Sequence, residues 1–90
     1  MFRILETQNG VQTGMLQLKP GEVSGPIENQ FPGSAQTVVV LRGEIDAEIG
    51  EMRVRMREGD SVIVRRDVVH RFTGASDEEA VTLHLYDSRG

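Results

Sequence analysis

Cysteine is absent from these 90 residues. That excludes disulfide staples, thiolate nucleophiles and every zinc site built on sulfur. Tryptophan is absent too, and aromatics make up only 4% of the chain. Stacking platforms for single-stranded nucleic acid are therefore missing. The net charge of −4 argues in the same direction, since a protein that neutralises phosphates is expected to be basic. No long apolar run exists: the longest, Val38–Leu41, falls far short of the roughly 20 residues of a membrane helix. The N-terminus, Met1-Phe2-Arg3-Ile4-Leu5-Glu6, lacks the apolar stretch of a secretory signal. The expectation is thus a cytoplasmic chain with neither nucleic acid nor membrane as partner. Helical periodicity is also lacking, because ten glycines and three prolines leave few windows for a three-turn helix.

Alternation is what the chain has instead. Segments of strand length and composition lie at Phe2–Leu5, Gly14–Leu18, Thr37–Leu41, Ile45–Ile49, Met52–Met56, Val62–Val64, Val69–Phe72 and Val81–Tyr86. Turn signals separate them, among them Asn9-Gly10, Lys19-Pro20-Gly21, Gly50-Glu51 and Glu58-Gly59-Asp60. Short strands at near-regular spacing, with no linker or repeat, predict one all-β antiparallel domain over residues 1–90. Folding a chain of this size hides roughly 60–65% of its unfolded surface, a modest core that association with a partner chain would help.

One hairpin is legible residue by residue. With Gly50-Glu51 as a two-residue turn, Ile49 faces Met52, Ala47 faces Val54 and Ile45 faces Met56 on one side. On the other side Glu48 faces Arg53, Asp46 faces Arg55 and Glu44 faces Arg57, each pair of opposite sign. A slip of one residue would bury carboxylates, so the register is strongly specified. The crowding of Arg42, Arg53, Arg55, Arg57, Arg65, Arg66 and Arg71 reads as a solvated outer face neutralised by Glu44, Asp46, Glu48 and their neighbours, although the pairing assigns no partner to Arg65 and Arg66 and leaves a small anion site open there. Met15, Met52 and Met56 fall on expected apolar strand faces and read as core filler.

From Leu18 to Tyr86 the chain resembles the cupin superfamily, small antiparallel β-barrels of the jelly-roll type. Pro20-Gly21 opens the first signature stretch, and Gln36-Thr-Val-Val-Val-Leu-Arg-Gly43-Glu44 ends it. Gly59-Asp60 through Arg65-Arg66-Asp67 to His70 and Phe72 matches the spacing of the second. The resemblance implies an all-β cupin barrel, and a homodimer with the Phe2–Leu5 strand as a natural edge. It also implies where a metal would be held, and there this chain departs from the pattern. The His-x-His positions fall near Gln30 and Pro32, the carboxylate position falls on Gln36, and only His70 survives. The Pro-x-Gly turn has become Arg65-Arg66-Asp67, and the asparagine usual after the last ligand strand is Gly74. A transition-metal centre needs three or four imidazole or carboxylate donors, so no metal cofactor is expected. If a divalent transition metal is bound, His70 and His84 are its ligands, provided the His84 side of its strand faces inward and not the Leu83 and Leu85 side.

The expected function is metal-independent binding of a small polar molecule in the barrel. Glu28, Gln30, Gln36, His70, Phe72, His84 and Tyr86 are the candidate ligand-binding residues, and His70 is the candidate catalytic residue. Two alternatives stand beside it. One is an enzyme, either metal-dependent through His70 and His84 or metal-free with His70 as base, as in sugar-nucleotide epimerases of the superfamily; Asp67, Glu28 and Asp87 are the candidate carboxylates behind it. The other is an interaction module whose barrel is plugged by Phe31.

Overall fold

The computed structural model describes residues 1–25 and 34–87. Glu28, Gln30 and the plug candidate Phe31 therefore lie outside the described residues. All eight expected strands are present: β1 (Phe2–Gln8), β2 (Val11–Leu18), β3 (Ala35–Arg42), β4 (Glu44–Ile49), β5 (Met52–Arg57), β6 (Ser61–Val64), β7 (His70–Gly74) and β8 (Ala80–Asp87). The described residues form no helix. Strands β1 and β2 are longer than expected, meeting at an Asn9-Gly10 turn with Gln8 opposite Val11. Apart from Val11 the extra residues are polar, and along edge strand β1 no alternation of burial marks the strand.

The strands form two antiparallel sheets in a jelly-roll arrangement. The larger has the order β1-β2-β8-β3-β6 and the smaller β5-β4-β7. Between them lies one apolar core, built from Leu16, Leu18, Val38, Val40, Ile45, Ala47, Ile49, Met56, Val64, Phe72 and Ala80. Burial alternates along β3, β4 and β8, so every second side chain points between the sheets.

The Gly50-Glu51 hairpin has the expected register at all of its pairs, from Ile49–Met52 to Glu44–Arg57. Its charged face is extended by a third strand: Arg71 of β7 lies opposite Glu48 and grips it with two hydrogen bonds, at 2.6 and 3.1 Å. The Arg71 guanidinium holds the Glu48 carboxyl below its usual range. Exposed pairs of this kind stabilise by at most about 1 kcal/mol each, so their main effect is on register.

The methionine expectation needs correcting. Met56 is buried, but Met52 is 49% exposed and Met15 sits on the outer side of β2. Strand β5 is an edge strand, so its inward side chains at Met52 and Val54 have a neighbour on one flank only. Met15 is out of phase with the buried Gly14 and Leu16.

Gly74 replaces the asparagine of the cupin pattern for a steric reason. A Cβ there would stand 2.3 Å from the carbonyl oxygen of Lys19, because the β2–β3 connection crosses directly over it. That crossing is fixed by hydrogen bonds from the Gly21 amide to the Gly74 carbonyl and from the Gly74 amide to the Glu22 carbonyl, each 2.9 Å.

Candidate functional site

Each of the core's polar side chains comes from a strand whose phase places it inside. Gln36 on β3 shares the inward phase of Val38 and Val40, while Thr82, His84 and Tyr86 share that of Ala80 on β8. Gln36 is 3% exposed, Thr82 1% and His84 2%. This settles the orientation of β8: the histidine side faces inward, and Leu83 and Leu85 face outward. His70 opens β7 at the edge of the core, half-buried.

These residues are joined in one chain of hydrogen bonds. His70 Nδ1 lies 3.1 Å from the Val68 carbonyl oxygen, and Gln36 Nε2 lies 2.9 Å from His70 Nε2. Gln36 Oε1 lies 3.0 Å from His84 Nδ1, and Thr82 Oγ1 lies 2.7 Å from His84 Nε2. The Val68 carbonyl can only accept, so with a neutral imidazole at His70 it fixes the direction of every bond. His70 donates from Nδ1 and accepts at Nε2 from the Gln36 amide. Gln36 Oε1 then accepts from His84 Nδ1–H, and His84 Nε2 accepts from the Thr82 hydroxyl. In this arrangement each imidazole carries a proton on Nδ1. Among the described residues no buried side-chain nitrogen or oxygen lacks a partner.

The direction of the chain is tied to the charge of His70. An imidazolium at His70 needs an acceptor on each nitrogen, so the Gln36 amide must turn its oxygen toward it. The amide nitrogen then faces His84, whose proton moves to Nε2 and is donated to Thr82. Protonation at the edge of the core thus reverses hydrogen-bond polarity through to its centre.

Aromatic rings enclose His84. Tyr86 stacks on it at 6.1 Å between centroids, and Phe72 and Phe2 stand edge-on at 5.6 and 5.8 Å. Phe72 also lies 5.6 Å from His70, so it touches both imidazoles. Phe2 reaches in from edge strand β1 because Gly14 beneath it has no side chain; a Cβ there would stand 2.5 Å from the ring. Burial pushes His84 down to about 4, with the neighbouring His70 adding repulsion. Burial likewise pushes the Tyr86 hydroxyl up to about 12. At neutral pH His84 and Tyr86 are therefore uncharged hydrogen-bonding groups.

The structure thus brings together Gln36, His70, Phe72, His84 and Tyr86. It adds three participants that were not expected: Thr82, the Val68 carbonyl and Phe2. Thr82 was legible in principle, being two residues before His84 and so on the same face. At His70 Nδ1 the Val68 carbonyl stands; of the candidate carboxylates, Glu28 lies outside the described residues. A base needs the Nε2 lone pair, and Gln36 occupies it.

Among the described residues the donor set does not fit a transition-metal centre. It offers two imidazoles and an amide, and the nitrogens that face one another are already engaged with Gln36. No group of three His, Asp or Glu side chains converges among the described residues.

Two antiparallel sheets around this interior define a small jelly-roll barrel. The profile of the Cupin domain family matches residues 14–86, and the chain belongs to that family. Protein SchB of Streptomyces halstedii is 30% identical over 73 residues, covering 80% of this chain and 51% of SchB. Among solved structures, an oxalate oxidase in complex with glycolate superposes with a TM-score of 0.88 at 17% identity, covering 100% of this chain and 51% of its own. The cupin domain of Schizosaccharomyces pombe Cnp3 superposes with a TM-score of 0.86 at 16% identity, covering 96% of this chain and 59% of its own. The chain therefore spans about half the length of these relatives, and the structural likenesses establish the fold alone.

Proposed function

We propose that this cupin domain binds a small, uncharged polar molecule without a metal, at the edge of the core where His70 lies. The observation that carries this reading is the buried chain His70–Gln36–His84–Thr82. An apolar core has no need of three buried polar side chains, and each costs desolvation that its hydrogen bonds roughly offset. Such a chain is useful where its outer end meets something that hydrogen-bonds. His70 is that end, since it is the half-buried member of the four. A ligand bearing a donor competes with the Gln36 amide for His70 Nε2, and a ligand bearing an acceptor takes the amide hydrogen so released. The neutrality of His84 and Tyr86 favours an uncharged guest over an ion.

Small polar molecules screened by ligand-observed NMR, in the presence of a chelator, test this. Binding is expected to weaken by at least about tenfold in His70→Ala and Gln36→Leu, the loss of one or two hydrogen bonds. Binding that requires an added transition metal, or that is indifferent to both substitutions, overturns the proposal.

A further inference from the structure

Strand β5 ends the small sheet, and among the described residues it pairs with β4 alone. In an antiparallel ladder, alternate residues turn both backbone groups away from the neighbouring strand. At Arg57 those groups are capped: its amide donates to Asp60 Oδ2 at 2.8 Å, and its carbonyl accepts from the Asp60 amide at 2.9 Å. Arg55 and Arg53 lie two and four residues earlier, so their backbone groups point the same way. Among the described residues no backbone group meets them there. The side chains are uncovered over the same stretch. Met52 and Val54 point between the sheets yet are 49% and 37% exposed, whereas Met56, in the same phase, is buried. On the outer face, charge alternates by strand: Arg71 on β7, then Glu44, Asp46 and Glu48 on β4, then Arg53, Arg55 and Arg57 on β5. Arg53 reaches Glu48 at 3.5 Å, a carboxylate that Arg71 already grips, and its side chain stays 82% exposed.

We propose that the β5 edge takes up an extended segment of a partner protein as a fourth strand of the small sheet, one with the pattern apolar-acidic-apolar-acidic-apolar. Its acidic residues stand opposite Arg53 and Arg55, and its apolar residues stand beside Met52, Val54 and Met56. Each acidic residue exchanges two backbone hydrogen bonds with the arginine it faces, and the opposed charges fix the register. Strand β4 already meets β5 in this way on its other flank, with Ile45-Asp46-Ala47-Glu48-Ile49. Glu51 and Glu58 bound the basic stretch, so the acidic run of the partner is short. A second copy of the chain is disfavoured here, because pairing two β5 strands antiparallel sets arginine against arginine. The edge is independent of what the barrel holds.

Chemical-shift mapping of the parent chain with the end-capped peptide Val-Glu-Val-Glu-Val tests this. Shifts are expected at the Arg53 and Arg55 amides, the donors that gain an acceptor. Methylating both glutamate nitrogens of the peptide keeps its charge but removes two donors, so binding is expected to weaken by at least about tenfold. This comparison leaves the protein unaltered and so needs no variant to fold. Arg53→Glu, at an exposed position, is expected to weaken binding by about fivefold or more. The peptide Val-Lys-Val-Lys-Val is expected to leave β5 unshifted. No shift at β5 with millimolar peptide overturns the proposal, as does equal binding of the methylated or the lysine peptide, or indifference to Arg53→Glu. So does a parent chain that associates with itself through β5, since the occupant would then be a second copy.

Discussion

Replacing Gln36 with leucine removes the middle of the polar chain while keeping a buried side chain of similar size. Two hydrogen bonds disappear, contributing about 0.5–1.5 kcal/mol each, and leucine returns part of that through apolar burial. His70 sits at the edge of the core, where water can replace the amide. His84 has no such recourse, being 2% exposed and walled by Phe2, Phe72 and Tyr86. Its Nδ1–H would be left without an acceptor at a cost of about 1–3 kcal/mol. His84 can escape part of that cost by moving its proton to Nε2 and donating to Thr82. The net loss should then be about 1–3 kcal/mol, or roughly 5–20 °C in Tm for a domain of this size. The tautomer change of His84, read from long-range proton–nitrogen NMR correlations, is the signature. Adding Thr82→Val closes the escape, so Gln36→Leu/Thr82→Val should lose more than the two single variants summed, by about 0.5 kcal/mol or more. Urea unfolding of the four proteins measures that coupling. A Gln36→Leu protein within about 0.5 kcal/mol of the parent, with His84 in its original tautomer, would refute the reasoning.

Three further outcomes follow from the same geometry. The unfolded chain takes up the His84 proton near its ordinary 6.5, whereas the folded chain resists it down to about 4. This contribution is full above the first value, declines as pH falls between the two and levels off below the second; it amounts to about 3 kcal/mol, and pH-dependent urea unfolding of the parent against His84→Leu measures it. Asp67 holds a φ of +66° at the position where the cupin turn carries glycine. Asp67→Gly should leave stability unchanged or raise it by about 1 kcal/mol, and Asp67→Val should lower it by about 1–2 kcal/mol, both checked by thermal unfolding. Gly14→Ala should push the Phe2 ring off His84 and Tyr86, costing about 1 kcal/mol and speeding amide exchange in β1, as hydrogen-exchange mass spectrometry would register.

The hairpin of β4 and β5 was fully legible because its opposed charges and two-residue turn permit a single register. The burial of its β5 side was not, since alternation marks which side chains share a face but not whether that face is covered. Met52 and Val54 alternate like core residues and are exposed because β5 ends its sheet. The orientation of β8 was ambiguous for a related reason. Leu83 and Leu85 on one side compete with His84 and Tyr86 on the other, and an apolar outer face makes either choice plausible from hydropathy alone. Gln36 and His70 are 34 positions apart, and His84 is 48 from Gln36, so their union depends on strand order, which no local pattern encodes. The cupin spacing supplied that order and correctly placed His70 and Gln36 near each other. It could not foresee that the amide would bridge two histidines, because one of them lies outside the pattern.

The central claim is that the interior is a closed chain of neutral hydrogen-bonding groups and not a vacant metal centre. Long-range proton–nitrogen correlation of the two imidazoles at neutral pH, before and after addition of zinc or nickel, tests it most directly. Both rings should carry their proton on Nδ1, and neither pattern should change on adding metal. A proton on Nε2 of either ring, or metal-induced shifts at both, would contradict it.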